Sequence, residues 1–168
     1  MDWSLTMTRI PPTLFTYEVP RHVIDDSWDL LREPGEQGFE AVVLWVGTVH
    51  DETTASVVAA VRPGQRAMSG DGGCAVEVPP EALRQLISAL PDHIVVLVRL
   101  HTHPGEAYHS PVDDTNMLIA HEGAISIVVP DFAVAALDLA TCSVNELRSQ
   151  DGWRELEPEE VTERFPIT

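Results

Sequence analysis

The chain has 168 residues, enough for one domain with a buried core and too few for two comfortable ones. Apolar residues make up 44% of it, an ordinary globular share, and no apolar run approaches the roughly 18 residues of a membrane span. Its net charge of −17 repels nucleic-acid phosphate and anionic membrane surfaces, so neither is an expected partner.

Met1-Asp2-Trp3-Ser4 is not a basic segment leading into an apolar core, which predicts no secretory signal. Cys74 and Cys142 make no disulfide framework. The expected location is the cytoplasm.

In chain order, Thr13 to Val19 alternates weakly and reads as a first strand. Arg21 to Arg32 reads as a helix with Val23, Ile24, Trp28 and Leu31 on one face, ended by Pro34-Gly35 and Gly38. Glu40 to Thr48 and Thr54 to Val61 are β-rich runs that can pair as a hairpin through His50-Asp51-Glu52. Pro63 to Gly73, with four glycines and a proline, reads as a loop, and Ala75 to Val78 as a short strand.

Pro79-Pro80-Glu81 opens a helix running to Leu90, with Leu83, Leu86, Ile87 and Leu90 as its buried stripe. Ile94 to Leu100 is nearly all aliphatic and reads as a central strand covered on both faces. His101 to His109 reads as a loop, and Ser110 as the N-cap of a helix from Pro111 to His121. Ala124 to Val129 and Ala133 to Leu139 read as strands joined at Pro130-Asp131. Val144 to Arg148 and Trp153 to Leu156 read as another short pair, Pro158 to Arg164 as a last helical turn or two, and the remaining tail as loose. The expected fold class is α/β, a mixed β-sheet flanked by helices in one domain.

The chemistry concentrates in His101-Thr102-His103-Pro104 followed by Ser110-Pro111-Val112-Asp113. Histidines two residues apart at a strand end project to the same side. With Asp113 they make three N/O ligands and leave a fourth position open, the pattern of a catalytic zinc (Zn2+) site rather than a four-ligand structural one. Hydrolysis at such a site needs a group to take the water proton and pass it to the leaving amine. Glu40 is the candidate, an acid at the start of a core strand. Ser110, at a helix start, can donate to a developing oxyanion. His109 and His121 read as surface or supporting residues, and Cys74 as structural.

Glu40, then His101-Thr102-His103-Pro104, then Ser110-Pro111-Val112-Asp113 strongly resembles the JAMM (MPN-plus) metalloprotease signature. The order of elements from about 21 to 139 resembles that family too, and the domain is taken as 1–168. The resemblance implies a cytidine-deaminase-like JAB/MPN fold, zinc held by His101, His103 and Asp113, Glu40 as general base and acid, and Ser110 polarising the carbonyl. The Ser-x-x-Asp register selects Asp113 over Asp114. It further implies cleavage after the C-terminal glycine of a ubiquitin-like protein, as an isopeptidase or precursor-processing peptidase. The implied partners are that protein or its conjugate, with E1-like or E2-like enzymes of a conjugation pathway, antiphage defence included, or a sulfur-carrier pathway. The loop from Pro104 to Ser110 is shorter than in familiar members.

The alternative reading is a non-catalytic MPN scaffold that binds a protein partner, a class that typically lacks some ligands this chain keeps. A DNA-repair-linked branch with asparagine between the histidines is disfavoured by Thr102 and by the charge. Zinc nucleobase deaminases are excluded because their His-x-Glu and Pro-Cys-x-x-Cys elements are absent.

Overall fold

The computed structural model describes residues 15–71, 73–111, 113 and 118–168. Its elements run β1 (Thr16–Glu18), α1 (Arg21–Gly35), β2 (Val42–Val49), β3 (Thr54–Val61), β4 (Arg66–Gly70), β5 (Gly73–Glu77), α2 (Pro80–Ala89), β6 (Val95–Thr102), β7 (Ile125–Val129), β8 (Ser143–Arg148), β9 (Gly152–Glu155) and α3 (Pro158–Arg164). Among the described residues, seven strands form one mixed sheet in the order β1-β3-β2-β6-β7-β8-β9, and β4 and β5 form a separate ribbon. The β2–β3 hairpin, the β8–β9 pair and the last helix form as the sequence predicts, and the class is α/β; β6 runs two residues further than predicted, because His101 and Thr102 pair with β7 and so belong to the strand and not to the expected loop.

Period-2 alternation in β2 feeds a core on each face of the sheet. Val43 and Trp45 join the larger core, with Val23, Ile24 and Leu31 of α1, Leu97 and Leu100 of β6, and Ile125 and Ile127 of β7. Val42 and Leu44 point to the other face and meet Val76, Val78 and, from α2, Ala82, Leu83 and Leu86. Each fully buried aliphatic or aromatic side chain contributes roughly 1.5–3 kcal/mol. The indole of Trp45 donates to Ser27 Oγ at 2.8 Å, and that hydroxyl donates to the Val23 carbonyl at 2.6 Å, so the large core's polar atoms at α1 are paired.

Several expectations are corrected. Part of the presumed loop Pro63–Gly73 is strand: Arg66 to Gly70 pairs antiparallel with Gly73 to Glu77. Turn glycines near its tip permit a hairpin, and every residue of β4 is exposed, so no apolar pattern betrays it. The stripe of α2 is shallower than predicted; Leu83, Leu86 and Leu90 are half-buried and Ile87 is 45% exposed, because the ribbon and β2 cover only one narrow side. Ala133 to Leu139 is not a strand, since β8 takes the place beside β7. Residues 131–133 and 139–141 are instead single 3₁₀ turns, the second started by Asp138, whose carboxylate accepts from Ala140 N–H at 3.0 Å.

The tail is not loose. Ile167 bridges to Val19, and Val19, Arg21 and Thr168 exchange backbone hydrogen bonds of 2.7–3.0 Å with residues 166–168 and Val19. The first strand is shorter than expected, and Thr13 and Leu14 lie outside the described residues. Of the helix predicted over 111–121, Pro111 and Asp113 are helical and Leu118 onward is not; residues 112 and 114–117 lie outside the described residues. No described helix is long and apolar enough to cross a membrane.

Candidate metal centre

β6 and β7 run parallel, and the candidate residues gather at their C-terminal end, where the chain leaves the sheet. His101 is the penultimate residue of β6 and His103 lies one residue beyond its end, so both side chains leave the same face. Thr102 points oppositely, is fully buried, and its hydroxyl accepts from Ala41 N–H at 2.9 Å. Thr102 N–H returns a 3.1 Å bond to the Ala41 carbonyl. β2 is antiparallel to β6 with Val42 opposite His101, and the Ala41–Thr102 exchange continues that register by one step. The next residue, Glu40, lines the same cleft as His103. The glutamate is 61 residues from His101 in sequence and reaches the same cleft because β2 pairs antiparallel with β6.

His101, His103 and Asp113 offer ligand atoms all within 4.8 Å of one another. Asp113 Oδ1 is 3.0 Å from His101 Nε2, and Asp113 Oδ2 is 3.5 Å from His103 Nε2. A tetrahedron with metal–nitrogen bonds of about 2.0–2.1 Å has edges of about 3.3 Å, so these separations bracket what a small cation requires. His101 is 4% exposed; among the described residues its Nδ1 has no hydrogen-bond partner and its Nε2 faces only the Asp113 carboxylate. Buried polar atoms short of partners are costly, and a cation held between Nε2 and the Asp113 carboxylate would satisfy both. The trio fits a metal ion.

Asp113 is aimed by local chemistry. Ser110 and Asp113 form a reciprocal N-terminal cap: Ser110 N–H and Oγ–H donate to Asp113 Oδ2 at 2.7 and 2.8 Å, while Asp113 N–H donates to Ser110 Oγ at 3.3 Å. The Ser-x-x-Asp spacing thus serves as a cap while leaving Oδ1 turned to His101.

Burial lowers the His101 imidazole to about 4, so it is neutral at pH 7 as a metal ligand must be. Burial would raise the Asp113 carboxyl, but contacts with His101 and His103 and the Ser110 N–H hold it well below the usual carboxylate range. Glu40 goes the other way: burial pushes its carboxyl up to about 7, opposed by His103 and aided by Asp113.

A cleft of about 630 Å³ joins Glu40, His101, His103, Ser110 and Asp113. One wall is β5 with Val78, and Leu83 and Leu118 supply apolar lining. Two further lining residues escaped the sequence reading. Arg99 precedes His101 by two and shares its strand face; it is 4% exposed and its Nη2 donates to Ser126 Oγ at 2.9 Å. A charge inside an aliphatic strand was its signal. Tyr108 sets its ring edge-on to His103, centroids 4.9 Å apart, and is 58% exposed at the rim.

His109 packs on Trp153 and His121 is half-buried; neither joins the trio. Cys74 lines the cleft with its thiol toward the Gly38 carbonyl, and burial pushes the Cys142 thiol up to about 12, which leaves it unreactive.

No family model matches the chain. A protein of Sinorhizobium fredii described as a probable metalloprotease is 33% identical over 154 residues, covering 91% of this chain and 94% of that protein. Two proteins solved in solution share the fold at 15% identity. One, from Desulfitobacterium hafniense, has a TM-score of 0.60 over 91% of this chain and 93% of its own. The other, from Salinibacter ruber, has a TM-score of 0.54 over 83% and 88%.

Proposed function

We propose that this chain, which belongs to the metalloprotease family of its Sinorhizobium fredii relative, is a zinc-dependent peptidase of the JAMM type that cleaves after the C-terminal glycine of a ubiquitin-like protein. The observation that carries the reading is the arrangement of three converging ligand residues with Glu40 beside them in one cleft. His101, His103 and Asp113 would hold the zinc. Bound zinc supplies Lewis acidity toward a carbonyl and toward water.

The chain's own residues account for the rest of the reaction. Glu40, ionised, accepts a proton from the attacking water as the water oxygen joins the carbonyl carbon. The carbon–nitrogen bond then breaks, and Glu40 delivers that proton to the departing amine nitrogen. The products are a carboxylic acid and an amine, which at neutral pH ionise to a carboxylate and an ammonium. Ser110 turns its hydroxyl from Asp113 toward the oxyanion, a rotation about a single side-chain bond. Among the described strands β5 pairs only with β4, so its other edge, beside the cleft, has main-chain groups to offer an extended tail. Apolar and glycine-flanked walls along that edge suit a narrow, flexible terminus.

The test is metal content of the purified protein beside Asp113→Asn, followed by cleavage of a panel of ubiquitin-like fusions. The expected result is about one zinc per chain, lost in the variant, with cleavage only by the loaded wild type. A wild type that takes up no metal after controlled reconstitution would overturn the reading and leave the scaffold in its place.

A further inference from the structure

His103 lies just past the end of β6, where the strand ladder no longer holds it, and its main chain is held instead by an unusual turn. After β7, Asp131, Phe132 and Ala133 have φ of 51°, 54° and 57°. Asparagine, aspartate and glycine enter this left-handed region readily; phenylalanine and alanine do so only when their surroundings impose it.

The turn reverses the chain so that its amides face the histidine loop. Phe132 N–H donates to the His103 carbonyl at 2.8 Å and Asp131 N–H to the Gly105 carbonyl at 2.9 Å. His103 N–H in turn donates to the Val129 carbonyl at 2.9 Å. Both main-chain polar groups of His103 are therefore fixed by residues 129–132. A right-handed turn would point these amides elsewhere.

What imposes the conformation is α1. Trp28 and Gly35, two helical turns apart, lie on one face of it. The Trp28 indole donates to the Ala133 carbonyl at 2.9 Å. Gly35 lets the helix backbone meet the turn: a Cβ there would sit 2.0 Å from the Phe132 carbonyl oxygen and 2.9 Å from its Cβ. The helix holds the turn, the turn holds the His103 main chain, and Tyr108 braces the His103 ring from the other side.

We propose that the left-handed turn Asp131–Phe132–Ala133, clamped by Trp28 and Gly35, is the device that positions His103 for metal, making Trp28, Gly35 and Phe132 positioning residues remote from the cleft. The inference rests on the reading of His103 as a ligand. It predicts that metal affinity is tuned from α1, a helix with no residue lining the cleft.

The experiment is titration of metal-free protein with zinc against a chromophoric chelator, for wild type, Gly35→Ala and Trp28→Phe, with thermal unfolding alongside. Gly35→Ala is expected to weaken zinc binding by the folded protein about tenfold or more, the scale of other supporting-residue losses, and Trp28→Phe by less. A merely structural role would lower the melting temperature and leave the dissociation constant of the folded protein unchanged. That result in both variants would overturn the inference. Should Gly35→Ala fail to fold, Trp28→Phe decides by the same criterion. A wild type that binds no zinc overturns the metallopeptidase reading and this inference with it; wild-type binding with unaltered variants overturns the inference alone.

Discussion

At the residue scale Glu40 is the carboxyl in the cleft that burial drives toward its neutral form. Burial pushes its carboxyl from 4.5 up to about 7 in the metal-free protein. Between those values the folded chain keeps a proton that the unfolded chain has released. Stability contributed by this group is therefore lost as pH rises from about 4.5 to about 7. Glu40→Gln removes the charge, so the metal-free variant should gain on wild type across that window, measured by urea unfolding at its two ends. An equal difference at both ends would show that Glu40 is not desolvated. A metal cation held nearby would favour the ionised form, the one able to act as a base. Glu40→Gln should then keep its metal and lose roughly 10²–10⁴-fold in kcat on a cleavable fusion. Cleavage at the wild-type rate would remove Glu40 from the mechanism. The gathering of His101, His103, Ser110 and Asp113 was legible because motif spacing reflects local geometry, strand parity for the histidines and a capping box for Ser110 and Asp113, whereas Glu40 was reached through its place at a strand start and the family resemblance, since its position depends on the β2–β6 pairing. Tyr108 was not, since its place at the rim depends on a loop conformation, and Arg99 showed only as a charge inside an aliphatic strand, its tie to Ser126 depending on the neighbouring strand.

At the scale of elements, legibility followed how much of the burial pattern each segment carries alone. β2, β3 and β6 announce themselves through β-rich apolar runs, and α1 through a one-sided stripe. The β4–β5 ribbon has no buried face on β4, and the segment after β7 holds a left-handed turn that costs about 1–2 kcal/mol per residue and so cannot be inferred from propensity. The tail was misread because its partner, Val19, lies near the other end of the chain.

An ionic cluster reinforces that same closure. Glu146 of β8, 2% exposed, meets Arg148 at 2.6 Å, Arg154 of β9 at 3.5 Å and Arg164 of α3 at 3.1 Å. Arg164, itself buried, also donates from Nε to the Phe15 carbonyl at 3.0 Å. Removing the carboxylate charge would leave the Arg164 guanidinium buried without its counter-ion. Glu146→Gln should cost about 3 kcal/mol, the low end for breaking a buried pair, because Arg148 and Arg154 retain access to water. Urea unfolding checks it, and a loss below about 1 kcal/mol would class the cluster with surface ion pairs.

For the whole molecule the governing quantity is the charge of −17. All ten basic residues are arginines, and Arg32, Arg62, Arg84, Arg148, Arg154 and Arg164 are already paired with carboxylates. The field outside the protein is accordingly negative, and a protein substrate with a basic face would be drawn to it. Steering of this kind acts over the Debye length, about 30 Å at 0.01 M salt and about 8 Å at 0.15 M. Over that range kcat/KM for a full-length ubiquitin-like fusion should fall several-fold, within the roughly 10–10³-fold span of steered association. The change should appear in KM, because the chemical step is shielded inside the cleft. A short uncharged peptide carrying the same C-terminal tail fills the cleft but does not span the surface, so its kcat/KM should hardly respond to salt. Equal responses from fusion and peptide would place the salt effect in the cleft. No response from either would assign the acidic surface to solubility alone, and the partner's recognition would then rest on the tail and its contacts with β5.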